Sequence, residues 1–170
     1  ITLRPDTARL EEGVTLFNAT PQNHLYLFWT NTAVKATDDA QYIYPMRETV
    51  FDDPFAIVQS WPMWKGVDRS WYKNDPSALA IFGRNVQRNF FGVYYHESNN
   101  GVVHVADFHQ DPGKKFWTWG TSRDGKIWDK ILSDNDGSYN EIQSGRFYTQ
   151  GSREFMNPRR VEKWMEYWYP

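Results

Sequence analysis

The chain has 170 residues, with 9 Trp, 10 Tyr and 11 Phe but no Cys, a formal net charge of −2 and a mean hydropathy of −0.74. This length is typical of one domain around one core, and the charge gives no electrostatic footprint for nucleic acid. The lack of Cys excludes a disulfide framework, a thiolate metal site and a cysteine nucleophile. No apolar run approaches the length of a membrane span, so we expect neither a nucleic-acid partner nor a membrane.

Strand-like segments dominate the chain in sequence order. Alternating apolar residues or aromatic runs predict strands within residues 7–21, 25–34, 41–51, 77–85, 88–97, 101–108, 114–120, 139–147 and 161–169. Pro45 interrupts the third segment, which predicts an edge position or a bend there. The last segment also fits a helical period, but its density of aromatic residues favours a strand. Short turns between strands are typical of an antiparallel β-sandwich or barrel.

Two segments depart from this pattern. Residues 122–134 predict a short helix near 124–134, because four apolar residues recur there at helical spacing: Ile127, Trp128, Ile131 and Leu132. Residues 58–77 form the longest irregular stretch and hold three Trp residues. A long ordered loop is often functional.

Three of the four His residues cluster at positions 96, 104 and 109. If Asn100 and Gly101 form the centre of a type I′ turn, Glu97 lies opposite His104 and raises the pKa of that imidazole. A turn centred one residue earlier pairs Tyr95 with His104 instead. The spacings of 8 and 5 residues match no zinc signature, and we expect no metal and no other cofactor.

Two aromatic segments carry polar residues between their rings. On a strand, Trp29 shares a face with Asn31, and Trp117 shares a face with Trp119. A Trp ring beside a hydrogen-bonding amide is typical of a sugar pocket, where the ring packs on C–H groups and the amide binds hydroxyls. The alternative is that these Trp residues belong to the core.

A carboxylate lies in the segment 137–151. Glu141 and Gln143 share one face of a predicted strand, and Arg146 follows just beyond. A Glu at a sugar site is able to accept a proton from a hydroxyl group. The alternative is an ordinary solvated strand face.

Three long segments together resemble a known domain: "VTLFNATPQNHLYLFWTNTAV", "FWTWGTSRDGKIWDKILSDNDGSYNEIQSGR" and "EFMNPRRVEKWMEYWYP". They are similar to an uncharacterised bacterial domain, often fused to tetratricopeptide repeats, of the galactose mutarotase-like superfamily. The resemblance implies an all-β, antiparallel supersandwich. It also implies that Glu141, in the Glu-x-Gln pattern, is a catalytic base that draws the proton from an anomeric hydroxyl.

The resemblance also implies a histidine acid that protonates the ring oxygen. The strand where a mutarotase carries its first His reads "LFWTNTAV" and has none, so His104 and His96 are the candidates for this acid. The predicted sugar-binding residues are Trp29, Asn31, Trp117, Trp119, Gln143 and Arg146.

The superfamily fold is considerably longer than 170 residues. We therefore expect residues 1–170 to form one partial sandwich, the C-terminal part of a longer domain, with an inner face that another chain covers. This predicts association with the missing half or with a second copy. The predicted ligand is a mono- or oligosaccharide, bound for chemistry resembling that of an aldose epimerase or a glycoside-processing enzyme. The alternative function is a non-catalytic structural or protein-interaction module. The sequence does not distinguish between cellular compartments.

Overall fold

A computed structural model describes residues 1–51 and 57–170, and the chain forms two six-stranded antiparallel sheets. The first sheet has the strand order β1-β2-β16-β12-β11-β5, and the second has the order β4-β14-β13-β10-β6-β7. Two further two-stranded sheets pair β3 with β15 and β8 with β9. The strands are β1 (Thr2–Leu3), β2 (Leu10–Phe17), β3 (His24–Tyr26), β4 (Trp29–Lys35), β5 (Ala40–Ile43), β6 (Glu48–Phe51), β7 (Val58–Ser60), β8 (Met63–Trp64), β9 (Val67–Asp68), β10 (Leu79–Arg84), β11 (Phe90–Tyr95), β12 (Asn100–Ala106), β13 (Gly113–Thr118), β14 (Tyr139–Gly145), β15 (Glu154–Met156) and β16 (Val161–Tyr169).

The core lies between the two sheets because alternate residues of each strand point inward. Tyr42 of the first sheet stacks on Phe116 of the second, with ring centroids 3.9 Å apart and an interplanar angle of 9°. Stacked aromatic pairs contribute about 0.5–1.5 kcal/mol beyond their buried area. Ile81 and Ile142 of the second sheet also belong to this core and are fully buried. The predicted antiparallel β-sandwich is therefore confirmed.

The inner faces of the two sheets cover each other, since the buried core draws residues from both. The described residues therefore include both sheets of a sandwich. The expectation that they form part of a longer domain stays a prediction. Association with another part of a longer protein, or with a second copy, stays a prediction. Among the described residues, no helix has the length and apolar character needed to cross a membrane.

The last strand and the bend at Pro45 follow the sequence predictions. In β16, Trp164, Glu166 and Trp168 are buried, whereas Met165 between them is exposed. Pro45 lies between β5 and β6, where the chain leaves the first sheet and enters the second. Proline fits there because neither flanking strand needs its missing N–H.

The helix α1 spans Arg123–Leu132, as predicted, but it presents its apolar face to solvent. Its buried residues are Gly125 and Asp129. A Cβ on Gly125 would lie 2.3 Å from the Trp119 carbonyl oxygen, so the helix approaches the backbone of the preceding loop at this point. The exposed apolar side chains are Ile127, Trp128, Ile131 and Leu132.

The hairpin between β11 and β12 differs from both predicted registers. Its turn covers residues 96–99, Tyr95 pairs with Asn100, and His104 pairs with Phe91. Asn99 supplies the positive φ, at 55°. Gly101 lies inside the strand, where a Cβ would come within 2.2 Å of the Val93 carbonyl oxygen. The glycine therefore serves a close backbone approach and not the turn.

Candidate functional site

Strand pairing brings three of the predicted polar residues, Asn31, Glu141 and Gln143, together on the outer face of the second sheet. Glu141 lies in β14, opposite Trp117 of β13 on one side and Ala33 of β4 on the other. Two residues along the strand, Gln143 lies between Lys115 and Asn31. Because the intervening Ile142 is part of the core, Glu141 and Gln143 point away from it.

Two side-chain amides hold the Glu141 carboxylate. Asn31 Nδ2 donates to Glu141 Oε2 at 2.9 Å, and Gln143 Nε2 donates to the same oxygen at 2.7 Å. Hydrogen bonds to a charged acceptor are stronger than neutral ones, so both contacts fix the orientation of the carboxylate. Glu141 itself is partly exposed, which leaves the group within reach of a ligand in solution.

A buried lysine sets the orientation of the Gln143 amide. Lys115 Nζ lies 3.4 Å from Gln143 Oε1 and donates to Gln150 Oε1 at 2.8 Å. Gln150 Nε2 also donates to Gln143 Oε1, at 2.9 Å. With its oxygen facing these donors, the Gln143 amide must turn its NH₂ group towards Glu141. Lys115 was not among the predicted site residues, although strand alternation places it on the same face as Trp117.

Aromatic rings border this polar group on two sides. On one side, Trp117 contacts Trp119 edge to face at 5.2 Å, and Trp119 stacks on Trp128 of α1 at 5.7 Å. On the other side, Trp29 lies against the strand backbone, because a Cβ on Gly145 would be 2.3 Å from its ring. Polar groups with aromatic rings on either side suit a ligand that has both apolar and hydroxyl surfaces.

The structure places three of the predicted site residues elsewhere. Arg146 binds Glu162 at 3.1 Å and lies over the Trp164 ring. His96 lies at the exposed turn of the β11–β12 hairpin, where Nε2 is 2.8 Å from Gln41 Oε1. His104 is fully buried in the first sheet. The second sheet therefore separates His104 from the outer face that carries Glu141.

His104 belongs to a buried polar cluster between the sheets, which the sequence did not predict. Its Nε2 lies 2.9 Å from Glu166 Oε2, and Thr30 Oγ1 donates to the same oxygen at 2.7 Å. Burial, followed by the charge of Lys114, lowers the pKa of His104 to about 3. The contact with Glu166 is therefore a hydrogen bond of a neutral imidazole and not an ion pair.

The same cluster is the one place among the described residues where potential metal ligands converge. One ligand atom each from His104, Asp111 and Glu166 lies within 4.8 Å of the others. Lys114 Nζ is 3.7 Å from the Asp111 carboxylate and also bonds to Ser144 Oγ at 3.0 Å. Since an ammonium group already provides the cation beside these carboxylates, the arrangement fits a structural ion-pair network better than a metal centre.

A family model described as "Domain of unknown function (DUF5107)" matches residues 1–170. The chain belongs to the DUF5107 family. The family predicted from sequence resemblance is thereby confirmed. The DUF5107 chain also resembles solved structures.

One similar structure is a TPR-domain containing protein from Parabacteroides distasonis, with a TM-score of 0.86, 24% identity, and coverage of 99% of this chain and 28% of that one. A putative aldose 1-epimerase from Klebsiella pneumoniae gives a TM-score of 0.68, 12% identity, and coverage of 97% and 43%. A galactose mutarotase related enzyme from Lactobacillus acidophilus gives a TM-score of 0.54 and 12% identity. The match covers 95% of this chain and 57% of that one.

These similarities establish the fold of the DUF5107 chain as that of galactose mutarotase-like proteins. At 24% identity or less they carry the fold alone. The chain spans less than two thirds of the length of each of these structures.

Proposed function

We propose that the chain binds carbohydrate on the outer face of its second sheet, with Glu141 as a general base. The observation that carries this proposal is the Glu141 carboxylate, oriented by Asn31 and Gln143 directly opposite Trp117. The galactose mutarotase-like fold supports the same ligand class.

The chemistry of each group suits a sugar ring. The indole of Trp117 offers a flat apolar surface for the C–H face of a pyranose. The exposed Asn31 amide and the Glu141 carboxylate are able to bind hydroxyl groups at the ring edge. In a reaction, the Glu141 carboxylate would accept the proton of one bound hydroxyl and become a neutral carboxylic acid, which is then able to return that proton.

Lys115 contacts the oxygen of the Gln143 amide, and the NH₂ group of the same amide donates to Glu141. Its side chain is buried, so we assign it the role of holding the Gln143 amide and not that of a proton donor. His104 lies in the first sheet, and His96 lies in the turn between β11 and β12. Neither histidine is part of the proposed site.

A thermal-shift screen with mono- and oligosaccharides tests this function. A ligand at 100 times its Kd should stabilise the fold by about 2.7 kcal/mol. Glu141→Gln keeps the shape but removes the base, so we expect it to retain binding and lose any turnover. Glu97→Gln, at the exposed β11–β12 turn, is the matched control and should behave as the wild type. Stabilisation by no sugar would contradict the proposal.

A protein-interaction module is the second candidate, and the outward apolar face of α1 favours it. Ile127, Trp128, Ile131 and Leu132 are between 45% and 65% exposed. Grouped exposed apolar residues often mark an interaction surface. This function would be preferred if Ile131→Glu abolished association with another protein while no saccharide stabilised the chain.

A further inference from the structure

A polar cleft lies at one corner of the second sheet, away from Glu141. It has a volume of about 530 Å³ and lies between the start of β6 and the loop that follows β10. Arg84 pairs with Glu48 at this end of the sheet. The residues that line it are Pro45, Met46, Arg47, Glu48, Arg84, Asn85, Gln87 and Arg88.

The cleft carries an excess of positive charge. Three guanidinium groups and one carboxylate line it, in a chain whose formal net charge is −2. The carboxylate of Glu48 is already engaged, because Asn85 Nδ2 donates to it at 3.1 Å and Arg84 Nη1 lies 3.9 Å away. Within residues 1–51 and 57–170, neither Arg47 nor Arg88 forms an ion pair.

Packing beneath the cleft holds its walls in place. The Met46 side chain packs against Gly83, because a Cβ on Gly83 would lie 2.3 Å from the Met46 sulfur. Asn85 adopts a positive φ of 52° and turns the chain after β10, and Val86 behind it is buried. The backbone that carries Arg84, Asn85 and Arg88 is therefore anchored on both sides.

We propose that this cleft binds an oxyanion, as a phosphate, sulfate or carboxylate group. A guanidinium offers paired N–H donors whose spacing matches two oxygens of such a group. Arg47 and Arg88 are the primary contacts, while Arg84 is shared with Glu48. This site goes beyond the proposed sugar function, since it includes none of the residues around Glu141.

An NMR titration of the Arg Nε–Hε signals tests the cleft. Sodium phosphate, sodium sulfate and sodium acetate are titrated separately against sodium chloride at matched ionic strength. We expect the Arg47 and Arg88 signals to shift saturably with at least one oxyanion and not with chloride. The anion whose shifts saturate at the lowest concentration is the preferred oxyanion. Equal, unsaturated shifts at every arginine would overturn the proposal.

Variants separate this site from general salt effects. R47Q/R88Q should weaken the oxyanion at least tenfold, whereas the control R123Q/R153Q changes exposed arginines outside the cleft and should leave it unchanged. Glu48→Gln removes the competing carboxylate and should tighten binding several-fold. Equal affinities in R47Q/R88Q and the wild type would overturn the site. Since the probes contain no sugar, this result is independent of the Glu141 proposal.

Discussion

The Gln143 side-chain NH₂ group donates a hydrogen bond of 2.7 Å to Glu141, which lies two residues away on the same strand. The Gln143 side-chain oxygen faces the ammonium group of Lys115 on the neighbouring strand. The amide thus connects a cation to a carboxylate without direct contact between them. Its orientation is fixed, because the reverse orientation would place two NH donors against an ammonium and an oxygen against a carboxylate. This relationship makes the carboxylate a defined feature of the sheet face.

Lys115→Met tests the role of the buried ammonium. Methionine keeps much of the apolar volume but loses the contacts to Gln143 and Gln150. The Gln143 amide then keeps the hydrogen bond from Gln150 Nε2 but loses the ammonium that favours its orientation. We therefore expect a sugar that binds at Glu141 to bind more weakly, with little change in the fold by circular dichroism. NMR of the Gln143 side-chain NH₂ should show its signals shift and broaden. Unchanged amide signals in Lys115→Met would contradict this role.

Asn31→Ala removes one of the two donors to Glu141 Oε2. Asn31 is exposed, so the effect on stability should stay within about 0.5 kcal/mol, as is usual at surface positions. We expect sugar binding to weaken by a larger amount, about 1–2 kcal/mol, because the chain loses an amide that would bind a sugar hydroxyl and that orients the Glu141 carboxylate. Isothermal titration calorimetry measures the change in sugar binding, and thermal unfolding of the same sample measures the change in stability. Equal losses in binding and stability would point to a structural role instead.

Gly145→Ala should destabilise the fold, because the added methyl would meet the Trp29 ring at 2.3 Å. Overpacking of this kind costs about 1–3 kcal/mol. Gly13→Ala in β2 is the matched strand control, since its Cβ would meet the flexible end of Met165 at 3.3 Å. Urea unfolding compares the two variants. A Gly145→Ala chain as stable as Gly13→Ala would show that Trp29 does not rest on the strand.

The buried His104 predicts a loss of stability in acid. Its pKa falls from 6.5 to about 3 on folding, chiefly through burial. Between these values the unfolded chain binds a proton that the folded chain does not, so the free energy of unfolding decreases as the pH falls. For this residue alone the decrease from pH 7 to pH 5 is about 2 kcal/mol.

His104→Gln isolates this contribution from its neighbours. Burial raises the pKa values of Glu166 and Asp111, and these groups act with the opposite sign. The comparison is therefore the difference between variant and wild type in the slope of unfolding free energy against pH. We expect a shallower decrease in His104→Gln between pH 7 and pH 5. Parallel slopes would contradict a neutral His104.

Local patterns in the sequence predicted much of the fold. Alternation of side chains predicted β16 and the shared face of Glu141 and Gln143. The helical spacing of apolar residues predicted α1. The pairing of Asn31 with Gln143 joins residues far apart in the chain, and single-strand patterns carry no information on such partners.

Other features were outside the reach of pattern alone. The adjacent lysines 114 and 115 resemble a solvated pair, yet both are buried, one in the core and one on the outer face. Their environments depend on carboxylates and amides from distant strands. His104 was a candidate for the acid because the family resemblance implies a histidine near the sugar, whereas the register of β12 turns it inward.

A ¹H–¹⁵N titration of the chain with the most stabilising saccharide tests the central claim most directly. We predict saturable shifts of the Trp117 indole N–H and of the Asn31 and Gln143 side-chain amides, with smaller shifts in Glu141→Gln. Shifts confined to α1 or to the first sheet, or no saturable shift with any saccharide, would contradict a sugar site at Glu141.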